Sequence, residues 1–152
     1  MSFQPADPAF EARVRASFAR QTIMETIGAT LTRVAPGEVE IRLPWRADLC
    51  QQHGFLHAGV VATIADSAAG YAAFSLFAAD ASVLTSEYKL HLLAPAEGEL
   101  LIARGRVLKP GRTLTIAETE VYAVKAGSEK LCAKLIGTLV QLAARSDLPR
   151  SG

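Results

Sequence analysis

The feature that most constrains this chain is a long apolar stretch that contains one acid. Residues 58–79, AGVVATIADSAAGYAAFSLFAA, carry a single charged side chain, Asp66. A segment that is apolar all round predicts a helix buried on every side, not a surface helix with one apolar stripe. Because ionising a carboxylate there is costly, Asp66 is interpreted either as a structural carboxylate bonded to the backbone or as part of a site.

The stretch is long enough to span a membrane, but its composition opposes that interpretation. It consists largely of Ala, Gly, Ser and Thr, which insert weakly, and Asp66 opposes insertion further. A net charge of +1 does not indicate a nucleic-acid or membrane-surface partner. The N-terminus, MSFQPADPAFEARVR, lacks a signal-peptide pattern, and Cys50 and Cys132 fit neither a disulfide framework nor a zinc spacing. We therefore expect a cytoplasmic protein with no metal and no separate cofactor.

The N-terminal region predicts a short helix. Asp7 and Pro8 suit its N-cap and first helical position, and the helix is expected to run to Ala19. The apolar residues on its buried face recur every four positions: Phe10, Val14 and Phe18. Arg13 and Arg15 lie off that stripe and predict either a solvated face or a contact with an anionic ligand.

Six further segments predict strands, from alternating patterns or from Pro and Gly turns at their ends: 29–34, 38–43, 82–93, 99–109, 113–124 and 130–142. Antiparallel strands with one buried helix predict an α+β domain, with a curved sheet of about five or six strands around that helix. We expect residues 1–26 to be an N-terminal helical segment packed on the domain, 27–142 the domain itself, and 143–152 a flexible tail.

The loop before the long helix contains residues that could form a binding or catalytic site. Residues 53–54 (His-Gly) and 57–59 (His-Ala-Gly) lead into the helix N-terminus, where unpaired N–H groups can hold a carbonyl oxygen or an anion. Asp66 follows Gly59 by about two turns, or about 10 Å along the helix. The carboxylate therefore cannot act on a carbonyl held at its own helix start. A second copy of the helix running antiparallel would bring the two together, which predicts a site at a dimer interface.

The other residues of this region each have an ordinary structural explanation beside the functional one. His57 could only hydrogen-bond the loop, and Gly59 could only supply turn geometry. Gln51 could be an ordinary polar loop residue, and Thr85 a polar residue of a strand. Composition alone does not name a reaction.

The segment HGFLHAGVVATIADSAAGYAA resembles the hotdog-fold thioesterases, specifically their PaaI-like acyl-CoA thioesterase branch. That family shows an Asn or Gln, then Gly-x-x-His-Gly-Gly, then a helix with Ala-Asp or Val-Asp near its second turn. The resemblance extends through LTSEYKLHLLAPA and KPGRTL and covers residues 27–142. It implies a hotdog fold, dimers that often pair into tetramers, and sites that lie between subunits.

The resemblance implies a role for three residues of the helix. Asp66 matches the catalytic carboxylate, as general base or nucleophile. Ala58 and Gly59 match the glycine pair, one of whose N–H groups polarises the thioester carbonyl. The departure to His-Ala-Gly keeps the N–H but adds a methyl group, so either the site is tighter or the backbone at Ala58 has a negative φ.

The resemblance also implies supporting roles. His57 matches the histidine that shapes the loop, and Gln51 matches the Asn or Gln that orients water or the carbonyl. Thr85 matches a hydroxyl residue beside the acid. The acyl chain is expected to lie along the helix, near residues such as Tyr71, Phe74 or Phe77.

The implied activity is hydrolysis of acyl-CoA to free acid and CoA, by a homodimer or homotetramer without nucleic-acid or membrane partners. Lys109, Arg112 and Arg106 are candidates for the CoA phosphates, or form a solvated surface. Two alternatives remain: a hotdog enoyl-CoA hydratase or dehydratase, although no Asp-x5-His pattern follows Asp66, and a non-catalytic acyl-CoA binding module.

Overall fold

The computed structural model describes residues 3–145 and 147. Its helices are α1 (Phe10–Ala19), α2 (Thr22–Ile27) and α3 (Ala58–Phe74), with a 3-10 turn at Ala47–Leu49. Its strands are β1 (Thr30–Ala35), β2 (Glu38–Pro44), β3 (Ser82–Leu92), β4 (Leu100–Lys109), β5 (Leu114–Lys125) and β6 (Ser128–Leu142).

The strands form one antiparallel sheet in the order β1-β2-β4-β5-β6-β3. Helix α3 packs against β2, β3, β4, β5 and β6, so this one helix makes most of the contacts between the helices and the sheet. This arrangement is the hotdog fold, and it confirms the predicted α+β architecture. Strands β1 and β3 lie at the two edges of the sheet.

The small side chains of α3 allow the sheet to approach the helix closely. Ala65 and Ala68 are fully buried, and the Thr119 hydroxyl of β5 donates to the Ala65 carbonyl oxygen at 2.8 Å. A Cβ atom at Gly105 of β4 would lie 2.3 Å from the Ala68 carbonyl oxygen. Glycine is therefore required there, because any side chain would force the helix off the sheet.

The boundaries of two predicted helices were wrong. Helix α1 begins at Phe10, not at Asp7 and Pro8, because the Asp7 carboxylate caps a preceding turn by accepting the Ala9 N–H at 2.9 Å. Helix α3 ends at Phe74 although the apolar stretch continues to residue 79. Helix α2 was not predicted: six residues are too short to show a helical period.

Arg13 holds the C-terminal end of α3, which neither interpretation of its side chain anticipated. Its guanidinium donates to the carbonyl oxygens of Phe77 at 2.7 Å, Ala78 at 2.9 Å and Phe74 at 3.3 Å. It also lies 4.3 Å from the centre of the Phe74 ring, and its Nε lies 2.9 Å from Asp7 Oδ2. Arg13 thus ties α1 to the last residue of α3 and to the turn that follows it, where the Phe74 and Ala78 carbonyl oxygens also accept backbone N–H groups.

Most of the predicted C-terminal tail, 143–152, lies outside the described residues. Within it, the Asp147 carboxylate accepts a hydrogen bond of 2.6 Å from Arg20. In the described part of the chain, no helix is both long and apolar enough to cross a membrane.

Candidate active site

The N-terminus of α3 leaves one backbone donor open. His57 is the N-cap, and its Nδ1 accepts the Gly59 N–H at 2.8 Å. Its carbonyl oxygen accepts the N–H groups of Val60 at 2.9 Å and Val61 at 3.1 Å. Of the first four helical N–H groups, only that of Ala58 has no partner among the described residues. This group can donate to an oxygen from outside the chain, with the helix dipole favouring negative charge there.

The same geometry distinguishes the two residues of the predicted glycine pair. A Cβ atom at Gly59 would lie 3.1 Å from His57 Nδ1, so a side chain there would crowd the cap. Ala58 occupies the first helical position, where φ is negative and alanine fits without strain. The departure from glycine at residue 58 therefore leaves the backbone donor in place.

Asp66 lies two turns along α3 with one polar contact. Its Oδ1 accepts a hydrogen bond of 2.8 Å from the Thr85 hydroxyl of β3, beside a bulge in that strand between Thr85 and Glu87. Burial raises the pKa of Asp66, and the weaker opposing effect is the Thr85 hydrogen bond. No cation and no backbone N–H within the described residues pairs with this carboxylate. Asp66 is therefore a half-buried carboxylate that can still accept hydrogen bonds from a ligand or a water molecule.

Two separate clefts reach these groups. The acid cleft, about 500 Å³, is lined at one end by Asp66 and Thr85. The donor groove, about 430 Å³, is lined by Gln51 and Ala58 and is otherwise largely apolar. A third cavity of about 390 Å³ is lined by both Gly59 and Asp66. Within one chain, the open Ala58 donor and the Asp66 base thus face different cavities.

Gln51 belongs to the donor groove. Its side-chain Oε1 accepts the backbone N–H of His53, and its own N–H donates to the Phe55 carbonyl oxygen at 2.9 Å. These bonds fix the loop that enters α3. His57 is tied to the same region because its N–H donates to the Leu49 carbonyl oxygen at 2.9 Å.

The three predicted phosphate ligands lie outside both clefts. Arg106 forms an ion pair with the buried Glu118, which also holds Lys134 at 2.7 Å. Lys109 and Arg112 form no ion pair within the residues described. Of the three, Arg106 is therefore the one already neutralised.

Sequence reasoning missed the contribution of the N-terminal helices to the acid cleft. Ser17 and Gln21 line its far side, and Tyr71, interpreted as a residue along the acyl chain, lines it with them. Phe74 and Phe77, the other aromatic residues expected near the acyl chain, are buried in the core and line neither cleft. No local pattern identifies Ser17 or Gln21, because only the packing of α1 on α3 brings them there.

No cluster of three or more His, Cys, Asp or Glu side chains that could hold a metal ion occurs in residues 3–145 or at 147. The groups that line the site are a backbone donor, a carboxylate and neighbouring hydroxyl groups.

Comparison with known proteins identifies the family. A model of the Thioesterase superfamily matches residues 53–130, which contain the α3 N-terminus, Asp66 and Thr85. A crystal structure of a thioesterase family protein from Silicibacter pomeroyi is 51% identical, covers 88% of this chain and 98% of that one, and has a TM-score of 0.87. A conserved protein of Pseudomonas aeruginosa is 30% identical, covering 80% of this chain and 94% of that one with a TM-score of 0.73.

The E. coli PaaI protein, from a phenylacetic acid degradation operon, shares the fold at 18% identity, with a TM-score of 0.80 over 91% of this chain and 96% of that one. The family model spans just over half of the sequence, and its match includes the open donor and the acid. The chain therefore belongs to the thioesterase superfamily and is a thioester hydrolase of hotdog fold.

Proposed function

We propose that this thioester hydrolase acts on acyl-CoA, with the Ala58 N–H as the carbonyl donor and Asp66 as the reacting carboxylate. The observation that carries the proposal is the coexistence of one open backbone donor and one carboxylate without a cation, in a fold that leaves other buried acids paired. Perturbed, unpaired carboxylates of this kind are typical of functional sites.

The reaction follows from these two groups. The thioester oxygen accepts the Ala58 N–H, and the negative charge that develops on it is stabilised by about 3–4 kcal/mol. Asp66 removes a proton from a water molecule, whose oxygen attacks the carbonyl carbon; the C–S bond then breaks and the thiolate takes up a proton. Alternatively, Asp66 attacks directly to form a mixed anhydride that water hydrolyses. The raised pKa of Asp66 makes the carboxylate both a stronger base and a better nucleophile, so both routes remain open.

The site requires two copies of the chain. Ala58 and Asp66 are eight residues apart on one helix, or about 12 Å by its rise, too far to act on one carbonyl. Their separate cavities support the same conclusion. In a two-fold dimer with antiparallel α3 helices, the donor of one subunit would meet the acid of the other.

Strand β3 is the edge at which we propose that the dimer forms. It is eleven residues long and presents three large apolar side chains to solvent, Leu84 at 58% exposed, Tyr88 at 43% and Leu92 at 56%. A long apolar edge strand is a template for pairing with another chain. Because Thr85 lies in β3 and bonds Asp66, pairing along this edge would bring a second subunit to the acid. A homotetramer would require a second interface.

The CoA phosphates would be bound by Lys109 and Arg112, which flank the turn between β4 and β5 and have no anionic partner within the described residues. Arg106 would serve only if the phosphate displaced Glu118, which would break the ion pair between this exposed guanidinium and the buried carboxylate. We therefore expect Arg112→Ala to raise KM for acyl-CoA more than it lowers kcat.

The experiment that tests the proposed function is a free-thiol release assay with a panel of acyl-CoA substrates. Thiol release with normal saturation is the expected result. Binding of acyl-CoA without thiol release would instead identify a binding module, and loss of enoyl absorbance a hydratase; either would overturn the proposal. A single turnover in ¹⁸O-water separates the two routes, because label enters Asp66 only through the anhydride.

A further inference from the structure

The face of the sheet turned away from helix α3 carries an apolar patch. Strand pairing brings its side chains together, because Val140 of β6 lies opposite both Leu114 of β5 and Leu84 of β3. Two further apolar residues follow on the same face, one on β5 and one on β6. We call these five residues the outer patch: Leu84, Leu114, Ile116, Ile136 and Val140.

The alternation of side chains along each strand fixes the direction in which the outer patch points. Ala117 of β5 and Leu139 of β6 are fully buried, and α3 packs on both strands. Thr85, which follows Leu84 on β3, bonds Asp66 of α3. Because successive residues of a strand point to opposite faces, the outer patch points away from the helix.

The outer patch is exposed to solvent as one contiguous surface. Leu114 is 52% exposed and Ile136 45%, and Leu84 is exposed as well. Ile116 and Val140 are half-buried among them. Single exposed apolar residues are common on proteins, whereas a contiguous group of them marks an interaction surface.

The charged part of the same face begins beside the outer patch and is paired within the chain. Glu118 lies opposite Ile136 and forms ion pairs with Arg106 and with Lys134, the latter at 2.7 Å. Lys134 also binds Glu120 at 2.9 Å. Because charges of both signs already neutralise each other here, the face lacks the excess of one sign that attracts nucleic acid or anionic lipid. A copy of the same face would not be repelled.

The area of this face suits a dimer better than a single chain. Strands β4, β5, β6 and β3 are neighbours in the sheet. At about 4.8 Å between strands and about 33 Å of strand length, their outer side covers roughly 600 Å². A specific interface takes about 800 Å² from each partner, so one chain falls short. Pairing of two β3 edges would join the outer faces of two chains into one surface of roughly 1,200 Å², which is sufficient.

We propose that the outer patch binds the outer patch of a second dimer, so that two dimers pack sheet against sheet in a particle of four chains. The inference rests on the β3-paired dimer proposed above and assigns the second interface that a homotetramer requires. A two-fold axis brings identical faces together, apolar on apolar, and closes the assembly at four chains. Ala58 and Asp66 belong to α3, on the opposite side of the sheet, so this packing leaves both groups open to substrate.

The test is sedimentation of the full chain and of Ile136→Lys, which places an unpaired charge in the outer patch. We expect wild-type particles of four chains. Burying an unpaired ammonium group is costly, so the dissociation constant between dimers should rise by at least about a hundredfold and Ile136→Lys should sediment as two chains. Its kcat for thiol release per chain should remain within about twofold of wild type, because the proposed site lies within one dimer.

Trp45→Lys is the matched control, because it adds the same charge at an apolar residue that is similarly exposed, at 42%. The Trp45 N–H bonds the carbonyl oxygen of Glu99, whose own N–H bonds Val124. Val124 is ten residues from Leu114 along β5, or about 30 Å. The control should keep four chains. Leu114→Lys, at the start of β5, should also give two chains and keeps the test decisive if Ile136→Lys does not fold.

Three results would overturn this inference. Wild-type particles of two chains at every concentration would show that the outer patch does not bind a second dimer. If such particles also bound vesicles of zwitterionic lipid, and Ile136→Lys did not, the patch would be a lipid-binding surface. Particles of four chains in both Ile136→Lys and Leu114→Lys would place the second interface elsewhere.

Failure of the proposed function would give a different result. Particles of four chains that release no thiol from any acyl-CoA would support this interface and contradict the hydrolysis of acyl-CoA. A wild-type chain that stays single at every concentration would contradict the β3-paired dimer itself, and with it the packing of two such dimers.

Discussion

The two ends of helix α3 differ in whether their backbone polar groups have hydrogen-bond partners within the chain. At the C-terminal end, Arg13 binds the carbonyl oxygens of three residues and stacks on one of their rings. At the N-terminal end, His57 caps one N–H and the Ala58 N–H has no partner within the described chain. Ala58 is only half-buried and lies between the exposed residues His57 and Gly59, so its N–H is free to donate to a ligand or to water.

Two aspartates show the same contrast between a group with a partner and a group without one. The Asp7 carboxylate is 7% exposed and lies 2.9 Å from the Arg13 guanidinium, at the closed end of α3. Asp66 has only the Thr85 hydroxyl, and burial raises its pKa. A neutralised acid contributes to folding, whereas an acid without a cation is available as a base. Each prediction below tests one side of this contrast, beginning with the largest effect.

Removing the open donor should have the largest effect on catalysis. Ala58→Pro deletes the N–H, and proline suits the first helical position. His57 already has the extended conformation that a following proline requires, with φ −63° and ψ 142°. We expect kcat to fall about 10²–10³-fold with the helix intact, as judged by circular dichroism. Ala58→Gly, which keeps the N–H, should remain active; near-normal turnover in Ala58→Pro would exclude the donor role.

Removing the acid should lower turnover and not stability. Asp66→Asn should reduce kcat by at least about a hundredfold. Because burial raises the pKa of Asp66 in the folded state, folding stability falls as pH rises from the unfolded-state pKa through the folded one. At neutral pH the asparagine variant should therefore unfold at the same or a higher denaturant concentration. A variant that is destabilised yet active would assign Asp66 to the fold.

Removing the Arg13 side chain at the C-terminal end of α3 should have the opposite effect, lowering stability and not turnover. Arg13→Met leaves the buried Asp7 without its cation and removes the Arg13 hydrogen bonds to three carbonyl oxygens, so the free energy of unfolding should fall by about 3 kcal/mol. The matched control is Arg15→Met on the same helix, where the exposed pair with Glu11 contributes about 0.3–0.5 kcal/mol. Urea denaturation measures both values. If both variants lost the same free energy of unfolding, the contacts of Arg13 would add no stability beyond that of an exposed ion pair.

The smallest expected effect is a change in pH dependence. The Thr85 hydrogen bond lowers the pKa of Asp66, so Thr85→Val should raise that pKa. Since the ionised acid is the active form, the acidic limb of the kcat/KM profile should move to higher pH. Thr85→Ser should keep the wild-type profile. An unmoved limb in Thr85→Val would mean that Asp66 does not control the acidic limb.

The sequence predicted the open end of α3 better than the closed one. The apolar stretch that becomes α3 and the position of Asp66 in it are local in sequence, so composition and spacing identify them. The cap that His57 forms on α3 was not predicted. The role of Arg13 depends on contacts with residues more than sixty positions away, which no local pattern encodes. The end of α3 at Phe74 was missed for a related reason, because the apolar residues continue beyond it into a buried turn.

The most direct test of the account is complementation between two inactive subunits. Ala58→Pro and Asp66→Asn chains carrying different tags would be co-expressed, and particles bearing both tags purified. If donor and acid come from different subunits, each mixed dimer holds one intact site, and thiol release per particle should return to about half the wild-type value. Mixed particles as inactive as either parent would contradict the account, since they would show that the two groups act within one chain.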